Sequence, residues 1–452
     1  MEDKKTLLDL TWPIFLESVL FSLMGSADVL MLSGYSDNAV GAVGIVNQIL
    51  FSFLVIARVI TAGSGILCAQ YIGANKEKKD IKSLIFTGIF VNGILGSCFS
   101  IFLVLGYPLL FQMMGIDPVM YEYARDYMLI IGSTLFVQFI SMTVSSFLRS
   151  YGKTKETMLI SVLTNLCNII LNYILIYGKL GLPSLGVSGA AIATALCNLL
   201  GCVAFMIFLG KRIMPGFYKA TAWEENKAVL KVILQYGMPA AGEQFSYTMA
   251  KLCIMAIITR IGVAAVTTYS YLNTIVSFVY LFAMAVGQGS GILIGWKIGG
   301  KEREKAYEIG IFSTKLSLII SMLITLVLFF LRRPMMGIFT KDQEIIALGV
   351  MVLASEFLLE AGRSVNLVLV NGLRAMGDVN FPLYIGLFSM WFFAVGFSFL
   401  LGIPLGMGLL GVWIALGLDE VFRAVGMAVK WRKNFQREDE LEEKQVSDVE
   451  EA

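Results

Sequence analysis

The chain contains no histidine, and of its 452 residues only 15% are Asp, Glu, Lys or Arg. The missing imidazole excludes a Ser–His–Asp triad, a histidine general base and any His-bearing metal centre. The scarcity of charge excludes a water-soluble globule and a disordered chain, since soluble domains carry about a quarter charged residues. The charges also nearly cancel, 35 basic against 33 acidic for a net +2, so no electrostatic footprint for nucleic acid is present. Cysteine is sparse. Cys68, Cys98, Cys167, Cys197, Cys202 and Cys253 lie in apolar runs with no C-x-x-C pair, which points to small buried hydrophobes rather than a zinc site or disulfide framework. No Walker A sequence occurs, so ATP is not the energy source. No nucleophile–base or metal constellation is legible, and neither an enzyme nor a bound cofactor is expected.

Apolar sequence is abundant. Hydrophobic residues make up 57% of the chain, and the mean hydropathy is +0.77. A bilayer core takes about 20 apolar residues per helix. Twelve such runs occur, at 7–33, 41–72, 82–106, 123–147, 157–178, 186–210, 232–260, 264–296, 308–331, 344–372, 382–402 and 408–429. The fold class expected is an all-α membrane protein of twelve transmembrane helices. The charged start, Met1 to Lys5, leads into a full-length span and does not read as a cleavable signal. With the N-terminus inside, 24 Lys and Arg fall on the cytoplasmic side and six outside. By the positive-inside rule both termini are cytoplasmic; the location expected is the plasma membrane of a bacterium. The acidic tail from Glu438 is expected to be solvated and mobile.

The chain repeats itself. Pro13-x-x-x-Glu17 matches Pro239-x-x-x-Glu243, and Gly63-Ser64-Gly65-Ile66-Leu67 matches Gly289-Ser290-Gly291-Ile292-Leu293, both at an offset of 226. Met113-Met114-Gly115-Ile116 recurs at Met335, Leu148-Arg149-x-x-Gly152 at Leu373, and Gly186-x-x-Gly189-x-x-Ile192-Ala193 at Gly408, with offsets of 222, 225 and 222. Collinear matches with so little drift mark a duplication. Each copy holds six spans, so the two enter the membrane with the same polarity, related by an axis along its normal. The organisation expected is an N-terminal six-helix bundle at 1–210, a cytoplasmic linker at 211–231, a C-terminal bundle at 232–430 and a charged tail at 431–452. Two such pseudo-symmetric bundles, rocking about a shared cleft, make a secondary transporter driven by an ion gradient.

Taken in order, these residues resemble the multidrug and toxic compound extrusion (MATE) family. The marks are the first-span pattern from Pro13 to Asp28, the Gly-rich stretch Gly63 to Gly73, and the turns Leu148-Arg149-Ser150-Tyr151-Gly152 and Leu373-Arg374-Ala375-Met376-Gly377-Asp378. Gly189-Ala190-Ala191-Ile192-Ala193-Thr194 completes them. The resemblance covers nearly the whole chain. It implies a V-shaped pair of lobes and efflux of amphipathic, often cationic, compounds in exchange for H+ or Na+. A monomer in contact with lipid and small-molecule substrates is expected, with no nucleic-acid partner. A lipid-linked oligosaccharide flippase of the same superfamily is the alternative.

An ionisable group in the hydrocarbon costs at least ~3 kcal/mol, so each needs a reason. Glu17 and Asp28 are eleven residues apart and share a helix face to within about 20°. With no histidine present, such carboxylates are the natural carriers of a proton or sodium ion. Asn168 and Asn172 share a face at i, i+4. The family resemblance implies an ion pocket of Asp28, Asn168 and Thr194, with Na+ held there together with Asn172 if sodium is the coupling ion. Asn172 departs from the family pattern, in which an acid stands at that position. In the second half Glu243, Tyr247 and Lys251 form one stripe, and Glu360 can pair with Arg363 at i, i+3. Glu243 and Glu360 are further ion-coupling candidates by resemblance. The competing reading for all of these is fixed hydrogen bonding or a buried salt-bridge network. Asp419, Glu420 and Arg423 are expected to pair locally, and Arg58 has Met284 at its repeat position. Gln48, Gln70, Asn273 and Gln288 are polar residues within spans and candidates for substrate contact.

Overall fold

A computed structural model describes residues 2–218 and 223–450, with no description of the side chains of Ser26, Trp223 and 437–450. Among these residues the chain is helical, with short connections. In order it runs α1 (Glu2–Ser33), α2 (Asp37–Gly73), α3 (Lys78–Met114), α4 (Pro118–Ser133), α5 (Leu135–Ser150), α6 (Thr154–Tyr177) and α7 (Gly186–Phe208). There follow α8 (Trp223–Ile261), α9 (Val263–Gly299), α10 (Arg303–Phe339), α11 (Gln343–Leu353), α12 (Glu356–Ala375), α13 (Asn380–Ser389), α14 (Ser398–Gly402) and α15 (Gly408–Glu450). π-helical turns at Leu209–Ile213 and Met390–Phe397 extend α7 and join α13 to α14.

The helices end where the sequence supplies punctuation. α3 closes on Gly115 in the left-handed conformation, the backbone state glycine tolerates best. Asp117 then caps α4 by accepting a bond from the Val119 amide, with Pro118 in the first turn. Asp342, 225 residues later, caps α11 in the same way through the Glu344 and Ile345 amides. The fourth and tenth expected spans are each broken in the middle, by 47° between α4 and α5 and by 49° between α11 and α12. Neither break contains proline. At each, a hydroxyl residue bonds back to a carbonyl of the preceding turn, Thr134 to Ile130 and Ile131 and Ser355 to Val352, which stands in for the interrupted ladder.

Eight of the helices are long and apolar enough to cross a membrane, and the two bent pairs bring the number to ten. The more polar α8 and α15 complete the twelve rods. Large apolar side chains remain exposed along them, among them Leu105, Ile170, Leu200, Phe330 and Phe388. In water this would be an aggregating surface; facing lipid tails it costs nothing.

The chain forms two compact units, residues 16–241 and residues 1–15 with 242–452. This differs from a division at a 211–231 linker. The hand-over falls inside α1 and α8, two residues beyond Pro13 and Pro239. The reason is packing. Leu7 and Leu10 of α1 are buried with Leu293, Ile294 and Trp431, while Ile233 of α8 is buried with Ile60, Leu67 and Phe147. Each arm therefore completes the core of the unit built from the other repeat. Each lies across the first glycine of a Gly-Ser-Gly-Ile-Leu copy. A methyl at Gly63 would stand 2.1 Å from the Ile233 carbonyl oxygen, and one at Gly289 2.6 Å from Thr11 Oγ1. The repeated motif is thus a crossing point that needs a residue without a side chain. The last helix continues to Glu450, past the 430 boundary expected for the bundle.

Candidate functional site

In the unit formed by residues 16–241, α6 has its polarity turned inward. Leu163, Ile170 and Tyr173 are exposed, while Asn172 is 2% exposed. The amide of Asn172 donates to Asp28 Oδ1 at 2.8 Å and to Asn168 Oδ1 at 3.1 Å. Asn168 donates in turn to Thr194 Oγ1 at 3.2 Å. Four of the expected residues, Asp28, Asn168, Asn172 and Thr194, are thus one chain of hydrogen bonds across α1, α6 and α7. Gly189 and Gly201 of α7 lie against Leu175 and Thr164 of α6, and this close approach brings the two helices within side-chain reach. The carbonyl oxygen of Asn172 is buried with no hydrogen-bond partner. An unfilled buried acceptor beside a carboxylate suits a cation or a proton donor. Among the described residues there is no group of three His, Cys, Asp or Glu side chains able to hold a metal; oxygens here would come from one acid, two amides and a hydroxyl.

Glu17 is not part of that chain. Eleven residues along α1 amount to about 16 Å, and Glu17 instead accepts bonds from Arg149 Nη2 at 3.0 Å and Ser161 Oγ at 2.7 Å. Glu243 does the same in the other unit, pairing with Arg374 Nη2 at 2.5 Å. The two repeated motifs, Pro-x-x-x-Glu and Leu-Arg, therefore bind each other in both halves. The polar residues considered for substrate contact do not gather within either unit. Gln48 and Gln70 are separated by about 33 Å along α2, and Asn273 and Gln288 by about 22 Å along α9. The Asn273 amide is bonded to the Tyr269 carbonyl.

The unit of residues 1–15 and 242–452 holds a second polar cluster, larger than the sequence led one to expect. Glu360 pairs with Arg363 at 3.2 Å. Glu420 lies 3.1 Å from Arg423 and 3.9 Å from Arg363, and accepts from Asn366 at 2.9 Å. Asp419 pairs with Arg423 and accepts from Ser389 Oγ at 2.6 Å. Glu356 accepts from Trp413 Nε1 at 2.6 Å. Arg363 lies 5.8 Å from the centre of the Tyr280 ring, and Lys251 4.8 Å from that of Tyr247. Asp419, Glu420 and Arg423 do pair locally, yet Glu420 also reaches across to α12. Gly362 makes this possible, since any Cβ there would stand 2.4 Å from the Val421 amide nitrogen. Glu243 pairs with Arg374, some 21 Å along α12 from Glu360, and reaches this cluster only through its charge on Arg423. A further feature passed unnoticed in the sequence although its spacing shows it. Ser313, Ser317, Ser321 and Thr325 recur at i, i+4 along α10 and are all buried.

The family model MatE matches residues 13–174 and 239–400, two copies that begin at Pro13 and Pro239 and reproduce the offset of 226. The "uncharacterized transporter YisQ" of Bacillus subtilis (strain 168) is 36% identical over 95% of this chain and 94% of its own length. The "probable multidrug resistance protein NorM" of Thermotoga maritima is 27% identical, covering 96% of this chain and 94% of its own. A solved structure described as "MATE in the bent conformation" superposes with a TM-score of 0.88 at 20% identity, over 98% of this chain and 97% of that one. With the family model covering most of the sequence and that fold shared end to end, the chain belongs to the multidrug and toxic compound extrusion (MATE) family of membrane transporters and has its twelve-helix fold.

Proposed function

We propose that the chain is an efflux antiporter that exports amphipathic, often cationic, compounds in exchange for H+ or Na+ by alternating access. It works as a monomer in a bacterial plasma membrane with both termini in the cytoplasm. The observation that carries the reading is the Asp28–Asn172–Asn168–Thr194 chain. It places a half-buried carboxylate within a helix of the unit, held by an amide rather than neutralised by an arginine. A carboxylate with no arginine beside it is open to a small cation or a proton. When the cation binds, the charge on α1 is cancelled and Asn172 is free to turn its oxygen toward the site. The arrangement of α1 against α6 and α7 favoured with the cation bound then differs from that without it. A ligand moves such an equilibrium only by its unequal affinity for the two states, and a charged versus a neutralised half-buried acid supplies that inequality. Glu17 and Glu243 take the complementary role. Each holds a guanidinium in place within its own unit, which preserves the shape of the unit while the Asp28 site changes.

The names of the relatives support multidrug compounds as the substrate class. The test is uptake of a cationic dye into proteoliposomes under an imposed pH or sodium gradient. Uptake driven by one gradient in the native protein and lost in Asp28→Asn is expected. Uptake indifferent to both gradients, or lipid scrambling in place of dye uptake, would overturn the antiport reading.

A further inference from the structure

We propose that the Glu356 carboxyl, at the break between α11 and α12, is a further proton-binding site of this chain, loaded as the neutral acid inside the unit of residues 1–15 and 242–452. The reasoning starts from charge. The cluster around α12 and α15 holds four carboxyls, Glu356, Glu360, Asp419 and Glu420, against two guanidiniums, Arg363 and Arg423. Arg423 is engaged by Asp419 and Glu420, and Arg363 by Glu360 and Glu420. Glu356 is the acid with no guanidinium at ion-pair distance, and Arg363 reaches it only through its charge. It is 1% exposed, Trp413 serves only one of its oxygens, and Oε1 has no hydrogen-bond partner at all. A buried carboxylate oxygen with nothing to receive from is an expensive object. A proton on Oε1 removes the charge while leaving the Trp413 bond to Oε2 in place.

The position does not need an acid for folding. Counted from the break, its counterpart in the other half is Leu135; counted from the Leu-Arg motif, it is Ile131. Both are buried and apolar. Trp413, the donor to Glu356, falls at Ala191 in the first copy. The same architecture therefore closes over aliphatic side chains in one half and over an acid with a dedicated donor in the other.

The groups that face Glu356 are defined by every neighbouring element. On α12 they are Glu360, one turn on, and Arg363. From α15 come Trp413 and, beyond it, Asp419, Glu420 and Arg423. α9 brings Tyr280 under Arg363 and Tyr269 against Trp413. Further off, Tyr247 and Lys251 of α8 act on Arg363, and Ser389 of α13 donates to Asp419. Of the cations on α10, Lys315 is exposed and Arg332 binds the carbonyl and ring of Phe329. The buried face of α10 offers hydroxyls instead, and those of Ser313, Ser317 and Thr325 have no hydrogen-bond partner. Loading is the addition of one proton to one carboxylate, and unloading returns it to water or to the neighbouring Glu360; no other bond changes. The site deepens the antiport reading, resting on it only for the use made of the proton.

The experiment is infrared difference spectroscopy of the purified full chain in detergent across an acid-to-alkaline titration, with no substrate present. A protonated-carboxyl carbonyl band is expected in the native protein. It should be lost in Glu356→Gln, which keeps an acceptor for Trp413, and retained in Asp28→Asn. Trp413→Phe should shift the band by removing its donor. A band unchanged in Glu356→Gln, or unmoved in Trp413→Phe, would overturn the proposal. Failure of the antiport reading shows separately, as gradient-indifferent dye uptake with the band intact. If the proton also drives exchange, Glu356→Gln reduces pH-gradient-driven uptake at least tenfold without lowering the thermal midpoint.

Discussion

Substituting alanine at the two crossing glycines separates a backbone clash from a side-chain clash within one repeated motif. At Gly63 the added methyl would stand 2.1 Å from the Ile233 carbonyl oxygen and 3.1 Å from the Gly237 nitrogen. Both are backbone atoms of α8, so the arm itself has to retreat by about 1 Å to restore ordinary contact distances. Ile233 is fully buried between Ile60 and Leu67, and that retreat loosens the packing it completes. Overpacking of this kind costs about 1–3 kcal/mol, and the lower half of that range already shifts a two-state equilibrium by about five- to thirtyfold. At Gly289 the nearest atom is Thr11 Oγ1 at 2.6 Å, with the Thr11 backbone no closer than 3.4 Å. Rotation of one side chain relieves most of that clash, at about 1 kcal/mol or less. Thermal unfolding in detergent, followed by tryptophan fluorescence, should therefore show Gly63→Ala clearly more destabilised than Gly289→Ala. Thr11→Ala combined with Gly289→Ala should recover the native midpoint. Equal losses at the two sites, or a larger one at Gly289, would refute the idea that the arms are seated by their backbones on these glycines.

Three further outcomes follow from the polar contacts. Arg149→Met leaves Glu17 buried with only Ser161 as donor, and should cost about 2 kcal/mol in detergent unfolding. That is less than the 3–5 of a fully dry pair because the arginine side chain is 27% exposed; Arg149→Met with Glu17→Leu should regain most of it, and no recovery would mean the pair is not the cause. Asn172→Leu removes the amide that holds Asp28 and should cost about 1–3 kcal/mol, together with gradient-driven dye uptake; unimpaired uptake would dissociate the hydrogen-bond chain from coupling. At the turn between α9 and α10, hydrogen bonding to Lys305 and the charge of Lys297 hold the Glu302 carboxyl below its ordinary value. A depressed carboxylate contributes order above its unfolded range and loses it as pH falls through its folded value. Amide hydrogen exchange at residues 300–306 should therefore quicken on acidification and with added salt, and Glu302→Gln should abolish both dependences.

Much of this arrangement could be read along the chain, and the parts that could not have a common character. The twelve apolar runs, the duplication and the inward face of α6 are local or periodic properties. Asn168 and Asn172 share a face because 3.6 residues make a turn, whatever packs there. The same periodicity put Glu17 and Asp28 on one side of α1 yet said nothing of the distance between them, and the two acids meet different partners. Both copies of Pro-x-x-x-Glu and of Leu-Arg stood in plain view, but their mutual pairing joins residues some 130 positions apart, which no spacing rule reaches. The breaks at Thr134 and Ser355 fall inside continuous expected spans, 123–147 and 344–372, with no proline to mark them.

Hydropathy and repetition settle that this chain is membrane-embedded, helical and duplicated, because a hydrocarbon solvent demands apolar length and satisfied backbone regardless of neighbours. Packing alone settled which unit the ends of α1 and α8 join, which acids pair with an arginine, and that Asp28 and Glu356 are held instead by Asn172 and Trp413. Those outcomes depend on distances between helices, and glycines such as Gly63 and Gly362 set such distances only once the partner helix is in place.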